Sequence, residues 1–113
     1  MNVELNKKIR EFQPADGCYK ALEPLFKEAL ADTNPKEYYE AFFYIFEQYP
    51  NDDGDGVFWT ASDGMEKVGD FQELLLFSFQ RSPSEMTQAM LTRLYNSGVD
   101  KVGTIAIQSL LDD

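Results

Sequence analysis

Histidine is absent from this 113-residue chain, and cysteine occurs once, at Cys18. The first absence excludes a histidine general base, a Cys–His or Ser–His nucleophile pair, and any His-ligated zinc or haem. The second excludes an internal disulfide and a thiolate zinc site, and it suits a reducing compartment. There is no run of about 18 apolar residues, so no membrane span is expected. The opening MNVELNKKIREF mixes charged with apolar residues and lacks the apolar centre of a secretory signal. The cytoplasm is therefore the expected location. Basic residues are scarce too: ten Lys and Arg face twenty Asp and Glu, for a net charge of −10. Such a surface repels a phosphate backbone, which argues against nucleic-acid binding, and it attracts a basic protein.

What is present is a globular composition. Apolar residues make up 43% and aromatics 14% of the chain, enough for a core in one domain spanning residues 1–113. Nearly every segment reads at helical period. Val3, Leu5, Ile9 and Phe12 mark a first helix, stopped by Pro14 and Gly17. Leu22, Leu25, Phe26, Ala29 and Leu30 mark a second, with Pro24 either in its first turn or at a kink. A third is punctuated by Thr33 or Asn34 as cap, Pro35 at the first helical position, and Pro50 beyond its end. It carries one aromatic stripe of Tyr38, Phe42, Ile45 and Tyr49 and a second of Tyr39, Phe43 and Phe46. Tyr44 lies off both, so this helix is either central or leaves a face for a partner.

A fourth helix runs from near Gly56 to Gly69. Asp70 is the expected cap of a fifth, FQELLLFSFQ, which is apolar nearly all round and so is placed mid-fold. Ser82-Pro83-Ser84-Glu85 reads as a capping box opening a sixth helix that ends at Gly98. Asp100 is expected to begin a seventh using Val102, Ile105, Ala106 and Leu110. No stretch shows sustained strand alternation. The expected fold is all-α, about seven helices in antiparallel hairpins, as a compact bundle or a short α-solenoid-like stack.

Charge is concentrated in one span. Glu47 to Glu73 holds eight acids against the single base Lys67, a charge of −7, leaving −3 for the other 86 residues. Within it, NDDGDG at residues 51–56 matches the start of a helix–loop–helix calcium loop. The twelfth position of that loop should be a bidentate glutamate and is Ser62, and the first is Asn51, so no metal is assigned. A solvated turn and a partner-binding surface are the remaining readings. Asp63 and Glu66 share a helical face beside the loop, and Asp70 and Glu73 open the next helix. Trp59 reads mainly as core, with an interface anchor as the alternative. Arg81 and Arg93 read as ties between helices. Paired carboxylates could hold magnesium. Yet no basic cluster, phosphate loop or base-activated nucleophile accompanies them, so no enzyme and no cofactor are expected.

Residues 57 to about 103 resemble a family of small helical bacterial immunity proteins. The resemblance rests on Trp59 and Glu66, then Ser78, Arg81 and Pro83 in an S-x-x-R-x-P turn. It ends on Leu91, Arg93, Leu94, Asn96 and Gly98 in an L-x-R-L-x-N-x-G helix end. It implies an antitoxin of contact-dependent inhibition or another polymorphic toxin system, one that blocks a toxin made by the same cell. Such toxins are often basic nucleases. The expected partner is thus a cognate toxin domain, met by a monomer or weak dimer through Asp52, Asp53, Asp55, Asp63, Glu66 and Asp70, with Tyr39 or Tyr44 alongside. A helical adaptor for another basic protein and a calcium-responsive module are the alternatives.

Overall fold

Seven helices and one short hairpin form the computed structural model, which describes residues 1–112; Asp113 lies outside the described residues. In chain order, α1 spans Val3–Arg10, α2 Leu22–Leu30, α3 Tyr39–Gln48, α4 Phe58–Val68, α5 Gln72–Arg81 and α6 Glu85–Asn96. Strands β1 (Lys101–Val102) and β2 (Ile105–Ala106) precede α7, Ile107–Leu111. The Cα radius of gyration is 13.7 Å, close to the roughly 13 Å of a compact chain of this length. The all-α architecture is thus a compact bundle rather than an elongated stack.

The central element is α3. It packs against α1, α4, α5 and α6, and both of its aromatic stripes are buried save for the half-exposed Tyr49. Phe26 meets Phe42 edge-on at 5.1 Å, and Phe43 meets Phe46 at 5.8 Å. Such pairs add about 0.5–1.5 kcal/mol each beyond area burial. The fifth helix is not the centre expected from its composition. Leu75 and Leu76 are buried, but Phe77 on the same helix is 53% exposed. A helix apolar on every side needs neighbours on every side, and α5 packs mainly on α3 and α6.

Helix starts follow tertiary contacts more than local signals. Pro24 falls in the first turn of α2, where its missing N–H costs little. Pro35 opens a 3-10 turn, Pro35–Tyr38, and α3 proper begins at Tyr39 without a side-chain cap from Asn34 or Thr33. Asp70 does not cap α5; its φ is +59° and the cap position is Phe71. The capping box of α6 is real but sits two residues later than expected. The Ser84 hydroxyl accepts from the Thr87 amide at 3.1 Å, and Thr87 Oγ1 accepts from the Ser84 amide at 3.1 Å. The Glu85 amide donates to the Pro50 carbonyl at 2.7 Å, so a first-turn donor is satisfied across the fold.

The expected helix from Asp100 is also corrected. Residues 101–106 form an antiparallel hairpin, Lys101 opposite Ala106 and Val102 opposite Ile105. Gly103 supplies φ +61° at the turn, and the β-branched residues around it favour extended backbone.

Candidate interaction surface

The acidic loop is built from the inside. Asp52 turns its carboxylate toward the protein: Oδ1 accepts from the Gly54 amide at 2.9 Å, and Oδ2 accepts from the Tyr19 hydroxyl at 3.0 Å. Burial, reinforced by that carboxylate, pushes the Tyr19 hydroxyl up to about 12. The Asp53 carbonyl accepts from the Gly56 and Phe58 amides. Gly54, Asp55 and Gly56 all have positive φ, at +61°, +55° and +89°. This chain reversal leaves Asp55 exposed and Asp53 half-exposed. Helix α4 begins at Phe58, before a calcium loop would be complete, and Ser62 is buried within that helix. Among the described residues no three Asp, Glu, Cys or His side chains converge to hold an ion.

The acids of α4 are tied down. Arg93 donates from Nε to Glu66 Oε2 at 3.1 Å and from Nη2 to Glu66 Oε1 at 2.7 Å, and it stands 3.7 Å from Asp63. Its guanidinium lies 5.3 Å from the centre of the half-buried Trp59 ring. Trp59, Asp63 and Glu66 recur at helical spacing, so one face of α4 presents them all to α6. Trp59 is neither a pure core residue nor a bare anchor, since one face packs on the core and another carries a cation. Arg93 is a tie between helices, as its sequence position suggested.

The remaining expected contact residues separate. Asp70 is 81% exposed and pairs with Lys36 at 3.4 Å. Tyr39 is fully buried and its hydroxyl donates to the Gly69 carbonyl at 2.8 Å. It is an internal strut and not a partner residue, because reaching it would require opening the core. Burial, with the Asp70 charge nearby, raises its hydroxyl above the ordinary tyrosine value. Tyr44 is 37% exposed, but its neighbour is Arg10, whose guanidinium sits 5.6 Å from the ring centre. It faces a cleft between helices and not the acidic loop.

Glu47 also belongs to an internal tie. Its carboxylate accepts from Ser78 Oγ at 2.7 Å and from Arg81 Nε and Nη2 at 3.0 and 2.6 Å. Burial alone would raise its pKa, but the Arg81 and Ser78 hydrogen bonds outweigh burial and hold it below the ordinary value. A depressed carboxylate stabilises the fold above its unfolded pKa, and the contribution fades as pH falls through the folded value. Glu47→Gln is therefore expected to cost about 1–2 kcal/mol at neutral pH, the low end for charged hydrogen bonds because Arg81 is 64% exposed. The gap between wild type and variant should close below pH 4.5, the ordinary glutamate value. Urea unfolding at pH 7 and pH 3 reads both; an equal gap at the two pH values would remove Glu47 ionisation from the account.

Four of the eight acids in the Glu47–Glu73 span thus have cationic partners, three outside bases serving Glu47, Asp63, Glu66 and Asp70. Asp53 and Asp55 have none among the described residues. The six acids expected to act together do not form one uniform face. The loop pair is open, and the helix acids are largely compensated. Sequence reasoning passed over Phe77 and Arg10, which share the cleft with Tyr44. The only advance signal for Phe77 was the excess of apolar residues in α5 over what one buried stripe needs. Comparison of the chain with family models, curated proteins and solved structures gives no match.

Proposed function

We propose that this chain is an immunity protein that binds a basic toxin domain in the cytoplasm and blocks it by occlusion, without catalysis. The supporting observation is the charge of −10 combined with a loop that leaves Asp55 exposed and Asp53 half-exposed, neither with a cationic partner among the described residues. Lys and Arg side chains that a nuclease uses to hold nucleic acid would pair with these carboxylates, and the overall field would speed encounter. The resemblance carried by Trp59, Glu66, Ser78, Arg81 and Arg93 supports the same reading at the level of framework. In this fold those residues take part in two of the interhelical ties, Ser78 and Arg81 with Glu47, and Arg93 with Glu66 and Trp59.

Asp53→Lys with Asp55→Lys is expected to slow association with the partner by about tenfold or more at low salt and to flatten its salt dependence, while lowering the melting temperature only by the backbone cost of a lysine at the φ +55° of Asp55. Pull-down of the tagged protein from its own organism, at low and then high salt, identifies the partner for that measurement. A basic domain whose toxicity the chain relieves on co-expression is the expected outcome. A specific non-toxic partner would instead make the chain a helical adaptor. Association indifferent to both reversals would remove the loop from the mechanism.

A further inference from the structure

Four aspartates are followed directly by glycine: Asp16, Asp53, Asp55 and Asp63. At such a pair the backbone nitrogen of the glycine can attack the side-chain carboxyl carbon of the aspartate, because the glycine has no β-carbon to stand in the way. The fold treats the four pairs differently. Gly64 lies within α4, and Asp63 stands 3.7 Å from Arg93. The Gly54 amide donates to Asp52 Oδ1 at 2.9 Å, and Gly54 packs against the Phe58 ring. The Gly56 amide donates to the Asp53 carbonyl at 3.1 Å. The turn at residues 15–18, by contrast, is exposed throughout. Among the described residues, the Gly17 amide and the Asp16 carboxylate make no hydrogen bond. Asp16 has no ion-pair partner among them either, and the space beside Gly17 is open.

We infer that Asp16 and Gly17 form a site of spontaneous covalent modification, at which aspartate isomerises to isoaspartate ahead of the other three pairs. The Gly17 nitrogen bonds to Asp16 Cγ, and the carboxyl hydroxyl and the amide proton leave together as one water, giving a cyclic imide. Water then adds across one of the two ring bonds to that nitrogen. Opening at Cγ restores aspartate. Opening at the main-chain carbonyl leaves the chain running through the Asp16 side chain, with the former main-chain carbonyl as a free carboxylate. No oxidant or other reactant is consumed. Ring closure needs Asp16 to rotate out of its left-handed conformation, φ +53°, so the turn must first open. One backbone hydrogen bond spans it, from the Cys18 amide to the Ala15 carbonyl at 2.9 Å. An exposed turn held this way opens locally, without global unfolding. At Asp53 and Asp55 the glycine amide must also give up its own hydrogen bond, and at Asp63 a helix must unwind. The product lengthens a two-residue turn by one backbone carbon, so Ala15 and Cys18 lose their pairing. Tyr19 follows directly and its hydroxyl holds Asp52, so the modified chain should have a looser acidic loop.

The test is prolonged incubation of the folded chain in mildly acidic buffer, followed by peptide mapping with fragmentation that separates aspartate from isoaspartate. Isoaspartate, with an imide one water lighter before it, should accumulate at Asp16 about fivefold or more faster than at the other three, the factor that one further hydrogen bond to break is worth. The same incubation in urea should bring the four rates together, because the selectivity belongs to the fold. In the isolated isoaspartyl fraction, amides of residues 51–56 should exchange faster than in the unmodified chain. Absence of isoaspartate at Asp16, or faster reaction at Asp53, Asp55 or Asp63 in the folded chain, overturns the inference. A preference for Asp16 that persists in urea overturns it too, by assigning the selectivity to local sequence. Unchanged exchange in the isoaspartyl fraction would remove the link from this turn to the acidic loop. No arm of the test involves a partner, so this inference and the immunity reading stand or fall separately.

Discussion

Phe58→Ala is expected to lower the free energy of unfolding by about 3–5 kcal/mol, the range for deleting a buried phenyl ring. A single domain has only about 5–15 kcal/mol in total, so the variant should lose a large part of its stability. The size follows from where the ring sits. Phe58 opens α4 and is fully buried. It meets Tyr19 edge-on at 5.4 Å and Phe46 at 5.4 Å. It therefore joins the α1–α2 connection, the central helix and the acidic loop at one point. Tyr19 in turn holds Asp52, so the cavity left by the ring should loosen the loop as well. Urea unfolding should show a lower midpoint at unchanged slope, and loop amides should exchange faster in the native state. A loss below about 1 kcal/mol would mean that the ring is not packed as described.

The same residue shows how much the sequence could reveal. Helical period and proline punctuation were enough to read the helical class and the existence of the first six helices, because those depend on local spacing; they did not decide that the aromatic α3, rather than the apolar α5, is the centre. Exact starts were not legible. The α6 cap moves from Ser82 to Ser84 because the Glu85 amide finds the Pro50 carbonyl, thirty-five residues earlier in the chain. Asp70 gives up its capping role and reaches Lys36, thirty-four residues earlier. The hairpin at 101–106 was hidden because two-residue strands carry no alternation to detect.

For the candidate surface, the charge surplus was legible and its distribution was not. Asp63 and Glu66 look as free as Asp53 and Asp55 when only neighbours in sequence are counted. Arg93, on another helix, decides the difference. Tyr39 and Tyr44 likewise differ by less than two helical turns and end on opposite sides of the burial boundary.

Gly54→Ala is the second large effect expected, and its cause can be separated by a neighbour. Gly54 has φ +61°, a conformation that costs an alanine about 1–2 kcal/mol. A β-carbon there would also stand 2.6 Å from two atoms of the Phe58 ring. That ring is fully buried, so it cannot swing away without disturbing Tyr19 and Phe46, and overpacking of this kind costs about 1–3 kcal/mol more. The total expected is about 2–5 kcal/mol. Gly56 has φ +89° but open space where a β-carbon would be, so Gly56→Ala should show the backbone cost alone, about 1–2 kcal/mol. The difference between the two variants measures the ring contact. Combining Gly54→Ala with Phe58→Leu should recover part of the excess, as coupled neighbours do. Equal losses for Gly54→Ala and Gly56→Ala would show that the loop does not rest on the ring. The fixed presentation of Asp53 and Asp55 would then have to come from the Asp52 hydrogen bonds alone.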